Sequence, residues 1–329
     1  MTRRLIVLAL ATVTSAVARS QPPQFRATAH AVLVDVAVTD HKRSVPSLKA
    51  DDFALNDSGV AQRVTRLSIG NLPLDVTLLV DVSYSIEHVD GSLYAFPRHP
   101  PAGAWVTSGA TQVARLLTPA DRLQMIAFST DIREWSPKQR ALTFAPIGQS
   151  DAVSGRTALF DAIVVALIQP TPPDRRHVIV ALTDGLDSAS AIHRSIAAEV
   201  LDRADGILYI VACGSREKGF GARPKARDDA NFPVAPSSGN GNENWAYPFG
   251  GYDWILEDLT DRTGGRFYAS NTEGDFVQAL NDALAEFRAR YVLIYEPQGV
   301  PMSGWHPLTI TVPGFPKYEV RARRGYFAQ

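Results

Sequence analysis

Hydrophobic and polar positions change rhythm twice along this chain of 329 residues, which divides it into three stretches. In the first, Val32, Val34, Val36 and Val38 recur at every second position and form one face, the period of a strand. Residues 39–44 read as a turn and Phe53-Ala54-Leu55 as a short strand. Asn56-Asp57-Ser58-Gly59 is a strong turn signal, and 60–69 reads as the returning strand. Asn56-Asp57-Ser58 also matches a glycosylation sequon, although in a turn its local backbone role comes first.

The second stretch begins near residue 75. Continuous apolar runs at 76–80, 123–128, 177–182 and 207–212 have the character of strands buried on both faces. Between and after them, helical spacing predicts helices over 105–117, 157–167, 189–204, 254–262 and 275–288, with a short strand at 267–268 and a last strand at 291–295. The helix over 254–262 stops before Gly264-Gly265. Strands and helices in alternation predict an α/β fold: a doubly wound, mostly parallel, Rossmann-like sheet. In the third stretch Leu308, Ile310 and Val312 alternate, Pro313-Gly314 turns the chain, and Tyr318, Val320 and Ala322 alternate again. The β segments at the two ends, 26–72 and 298–329, are expected to pair into one small β domain beside a body of 73–297. Two long loops, 88–104 and 214–251, interrupt the body, the second carrying Trp245, Tyr247 and Phe249.

Composition narrows the function classes. With 45% apolar residues the chain buries a sizeable core. A net charge of −1, from 33 basic and 34 acidic residues, argues against nucleic acid as the partner. The single cysteine, Cys213, allows no disulfide framework within one chain and reads as a core residue. Arg3 and Arg4, the apolar residues 5–18 and the small residues Ala16-Val17-Ala18 form a signal-peptide pattern over residues 1–18. The expectation is a secreted or periplasmic protein whose mature chain has no transmembrane segment.

Candidate chemistry gathers where the apolar runs end. Leu78-Leu79-Val80 stops in Asp81-Val82-Ser83-Tyr84-Ser85, and alternation puts Asp81, Ser83 and Ser85 on one side. The carboxyl end of a parallel strand is where α/β sheets bind ligands. Three oxygen donors there suit a hard cation such as Mg²⁺, with Mn²⁺ or Ca²⁺ as alternatives. Ser154-Gly155-Arg156-Thr157 delivers a threonine to a helix start, and the run 178–182 ends in Thr183-Asp184-Gly185, a second acid at the same sheet edge.

Asp-x-Ser-x-Ser, then a threonine, then Thr-Asp-Gly resembles the metal-ion-dependent adhesion site of von Willebrand factor A (vWA, VWFA) domains. The resemblance implies that Ser83, Ser85 and Thr157 ligate the ion through hydroxyls and that Asp81 and Asp184 act directly or through water. It leaves the last position for a carboxylate supplied by a protein partner. Residues 32–38, Asp52-Phe53-Ala54-Leu55, Gly59-Val60-Ala61-Gln62 and the tail 321–328 are similar to the flanks of secreted acidobacterial-type VWFA-related proteins. One departure is Tyr84, where many such domains carry glycine. The function implied is adhesion-type protein binding; the alternative is a structural or assembly component of the cell envelope with a vestigial metal site.

Plainer roles are assigned elsewhere. Asp161 reads as a helix-dipole residue, and Asp187 as the cap of the helix from 189, the alternative being a place behind the metal ligands. Arg321, Arg323 and Arg324 read as a solvated strand face, and His88 and His99 as surface residues of their loop. No Gly-x-Ser-x-Gly, P-loop, His-Glu-x-x-His or Cys-x-x-Cys occurs, and a metal-dependent phosphohydrolase would want a second acid where Ser83 stands. The expectation is therefore a binding domain, not an enzyme.

Overall fold

The computed structural model describes residues 31–70, 72–83, 86, 102–140, 155–172, 174–213 and 253–328. The N-terminal segment read as a signal peptide, Tyr84 and Ser85, His88 and His99, and the aromatics of the 214–251 loop lie outside these residues.

In chain order the first strands are β1 (Val32–Asp40), β2 (Arg43–Ser44), β3 (Ala54–Asp57), β4 (Val60–Gln62), β5 (Arg66–Ile69) and β6 (Leu74–Asp81). Helix α1 (Ala102–Leu116) leads to β7 (Arg122–Phe128) and β8 (Ile132–Arg140). Then α2 (Leu159–Leu167), β9 (Arg176–Thr183), α3 (Arg194–Arg203), β10 (Ile207–Cys213), α4 (Asp253–Arg262) and β11 (Arg266–Ser270) alternate. The chain closes with α5 (Glu273–Arg288), β12 (Tyr291–Tyr295), β13 (Gly304–Thr311), β14 (Glu319–Ala322) and β15 (Gly325–Ala328). None of these helices is long and apolar enough to cross a membrane.

The α/β body is built on a six-stranded sheet in the order β11-β10-β9-β6-β7-β8. All its pairings are parallel except β7 with β8, an edge hairpin that periodicity did not reveal. Successive residues of β6 point to opposite faces. Leu78 and Val80 pack with Trp105 and Val113 of α1 and Phe276 and Phe287 of α5. Leu79 packs on the other side with α2, α3 and α4 through Ile163, Leu201 and Leu259. A sheet covered on both faces needs apolar residues at every position, and for that reason the strands read as continuous runs.

Two antiparallel sheets, ordered β14-β1-β12-β5 and β15-β13-β3-β4, bury a core of their own that includes Val34, Val36, Leu55, Leu293 and Leu308. The expected strand 60–69 is two strands in two sheets. β4 pairs with β3, the chain crosses at 63–65 with Val64 buried and Thr65 N–H bonded to the Ile294 carbonyl, and β5 then pairs with β12. The strand over 291–295 lies in the antiparallel sheet beside β1 rather than closing the parallel one. Both turn signals form two-residue hairpin loops with positive φ at both loop residues, His41-Lys42 and Ser58-Gly59. Arg321, Arg323 and Arg324 are not a solvated face. They pair with Glu286, with Asp205 and with Asp258 of the α/β body.

Candidate metal centre

From β6 the sheet proceeds through β7 to one side, and from β9 through β10 to the other. The carboxyl ends of adjacent β6 and β9 therefore flank the topological switch point, where an open α/β sheet leaves a crevice. Asp81, the last residue of β6, is fully buried there. Its Oδ1 accepts the Ser83 backbone N–H at 3.0 Å and its Oδ2 the Thr183 hydroxyl at 2.6 Å. Burial, reinforced by the negative charge of Asp184, raises its pKa to about 7, against the hydrogen bonds from Ser83 and Thr183. No lysine or arginine pairs with Asp81 among the described residues.

Asp184 follows β9 directly and is half-buried. Its Oδ1 accepts the Leu186 N–H at 3.0 Å, and Gly185, with φ 81°, turns the chain while its N–H donates to the Thr183 hydroxyl. Only a residue free of a Cβ takes that conformation at no cost. Thr157 is buried two residues before α2. Its N–H donates to the Ser188 hydroxyl at 3.1 Å, and its carbonyl accepts the N–H groups of Ser188 and Ala189, each at 2.8 Å. On the other side the next residue, Ala158, donates its N–H to the carbonyl of Ser129, just past β7. Ser83 is fully buried immediately beyond β6. Asp81, Ser83, Thr157 and Asp184 thus stand around the carboxyl ends of β6, β7 and β9, while Ser85 lies outside the described residues.

These groups fit a hard divalent cation. The donors are two carboxylates and hydroxyls, all oxygen, and the raised pKa of Asp81 reports negative charge that a cation would offset. Among the described residues no group of three or more His, Cys, Asp or Glu side chains is placed to hold a metal, so hydroxyls have to complete such a coordination shell.

Sequence reasoning missed Thr183 and the bonds that Asp187 and Asp161 make. Thr183 braces Asp81 from the neighbouring strand. Asp187 does not cap the helix after it; α3 begins later, at Arg194, with His193 as its cap. Instead the Asp187 Oδ1 accepts the N–H groups of Leu159 at 2.8 Å and Phe160 at 3.3 Å, which caps α2. Asp161 accepts the N–H groups of Ala191 and Ile192, each at 2.8 Å, as well as lying in the first turn of α2. Each of these partners is 27 to 31 residues away in sequence, so no local pattern announces them.

No protein-family model matches the chain, and no curated protein matches it. Solved structures do align with it. An aerotolerance-related membrane protein from Bacteroides fragilis, carrying multiple mutations to serines, aligns at 16% identity over 64% of this chain and 98% of that one, with a TM-score of 0.42. The ArnB paralog VWA2 from Sulfolobus acidocaldarius aligns at 13% over 90% and 76%, with a TM-score of 0.45. Proximal thread matrix protein 1 from the mussel byssus, solved with a zinc-occupied MIDAS motif, aligns at 10% over 70% and 49%, with a TM-score of 0.44. The chain thus spans about half the length of the mussel protein. The doubly wound sheet carries Asp81-Val82-Ser83 at its switch point. The fold is α/β, a doubly wound and mostly parallel sheet. In this body α1 and α5 cover one face of the sheet and α2, α3 and α4 the other, with the antiparallel sheets built from the chain on either side of it.

Proposed function

We propose that this chain is an exported, metal-dependent protein-binding domain of adhesion type, and not an enzyme. Mg²⁺ would be held by Asp81, Ser83, Ser85, Thr157 and Asp184, and a carboxylate of a protein partner would complete its shell. The observation that carries the reading is Asp81: a fully buried carboxylate, pushed toward its neutral form beside Asp184, with hydroxyl donors around it. Asp81 and Asp184 supply all the negative charge of the set and the hydroxyls none, so an ion bound partly through water would keep room and charge for an acidic group. Bound there, Mg²⁺ would supply Lewis-acid charge for a partner's carboxylate, and Asp81, Ser83, Ser85, Thr157 and Asp184 would orient it. The solved mussel structure with zinc in its MIDAS motif supports a divalent ion in this kind of site.

Calorimetric titration of the EDTA-treated protein with MgCl₂ and MnCl₂ tests the reading. Saturable binding at one site, abolished in Asp81→Ala, is expected. An absence of binding at millimolar ion, or binding that Asp81→Ala leaves unchanged, would overturn it.

A further inference from the structure

Seven side-chain and backbone groups in the segment after Asp184 are tied to the start of α2. The first N–H groups of any helix lack intrahelical partners, and α2 has no side-chain cap of its own, because its N-cap residue is Ala158. The segment after β9 supplies what is missing. Asp187 accepts Leu159 and Phe160 N–H, the Ser190 hydroxyl accepts Asp161 N–H, and Ser188 accepts Thr157 N–H. The exchange runs both ways, since the Asp161 carboxylate accepts the N–H groups of Ala191 and Ile192, and the Thr157 carbonyl accepts those of Ser188 and Ala189. Ser190 also donates to Asp187, so the two acceptors share one network.

Thr157 is held directly by this clasp, and Asp184 lies three residues before its first member, Asp187, on a different segment of the chain. We propose that Asp161, Asp187 and Ser188 are positioning residues that set the spacing of Thr157 from Asp184 and thereby set the affinity for the ion. The inference rests on the metal reading above. Mg²⁺ and Mn²⁺ demand near-octahedral oxygen geometry, with Mg–O distances of about 2.0–2.1 Å, so ligands on a loosened pair of loops bind less well. Losing a residue that orients a metal ligand typically costs 10–100-fold in affinity.

The test is Mn²⁺ binding, followed by electron paramagnetic resonance on the full chain well below its melting temperature. Asp187→Ala is expected to weaken binding about tenfold or more. Asp187→Asn, whose amide oxygen still accepts N–H, should recover most of that loss. If Asp187→Ala does not fold, Ser188→Ala removes only the exposed acceptor of Thr157 N–H and should weaken binding several-fold. Clasp variants that melt at lower temperature but bind Mn²⁺ as wild type does would overturn the inference and leave the metal reading standing, provided Asp81→Ala abolishes binding. A wild-type protein that does not bind Mn²⁺ would overturn both.

Discussion

Asp57 and Asp81 are both fully buried carboxylates, and their surroundings push them in opposite directions. At Asp57 burial alone would raise the pKa, but hydrogen bonds from Tyr295, Tyr326, His306 and Ser58 outweigh it and hold it below the ordinary value. The two phenols and the His306 Nδ1–H each donate at 2.8 Å, and the Ser58 hydroxyl at 3.0 Å. A carboxylate with a depressed folded pKa contributes stability above its unfolded pKa, about 4, and loses it as pH falls through the folded value. Acid unfolding should therefore set in below about pH 4, and Asp57→Ala, which strands four donors, two of them buried, should cost about 3 kcal/mol in urea titrations at pH 7. At Asp81 burial and the charge of Asp184 raise the pKa, so the metal-free fold bears a repulsion. Asp81→Asn should raise the melting temperature in EDTA while removing the ion site. A melt no higher than wild type would mean that another group already neutralises the pair.

Between α4 and β11 the chain turns on Gly264-Gly265, and no side chain fits there. Gly264 has φ +75°, and a Cβ on it would stand 2.5 Å from the Ala322 carbonyl carbon; one on Gly265 would stand 1.8 Å from the Leu208 carbonyl oxygen. Both neighbours are backbone, from β10 and β14, so neither yields without disturbing a sheet. Gly265→Ala should cost about 4 kcal/mol or more, read as lost soluble yield or an early urea midpoint. The glycine pair was legible in the sequence as a helix stop, and so were the buried parallel strands, because a sheet covered on both faces writes its burial into consecutive residues. Partnership was not legible. The run 291–295 reads the same in a parallel or an antiparallel sheet, and β8, polar and at an edge, carries no apolar pattern to detect. At the candidate site the strand-end acids and Thr157 stood out by position, whereas Thr183, Asp187 and Ser188 make contacts that exist only once β9 and α2 lie side by side.

At the scale of the molecule, arginines hold the antiparallel sheets to the α/β body. Arg290 is wholly buried, pairs with Glu286 at 3.5 Å and donates hydrogen bonds to four further partners: the Tyr209 hydroxyl at 3.2 Å, and the carbonyls of Gly264 at 2.8 Å, Asp35 at 3.2 Å and Arg321 at 3.4 Å. These lie on β10, the glycine turn, β1 and β14, so one guanidinium bonds both halves. Arg176 of β9 adds an ion pair with Asp35 of β1 and lies 4.1 Å from the centroid of the Phe287 ring; Arg321 pairs with Glu286 of α5. Joined in this way, the halves should unfold together, with calorimetric and van't Hoff enthalpies in agreement. Removing one partner of a buried charge network typically costs about 3–5 kcal/mol, because the groups left behind stay buried and unpaired. Arg290→Met should therefore destabilise by roughly 3 kcal/mol, and, since the lost bonds are those that cross between the halves, it should split the single thermal transition into two. Lysine should not rescue it, because a compact ammonium lacks the planar fork that spans four acceptors. Scanning calorimetry of wild type, Arg290→Met and Arg290→Lys decides the matter: one unshifted transition in both variants would place the join in the apolar contacts between the halves instead of in the arginine.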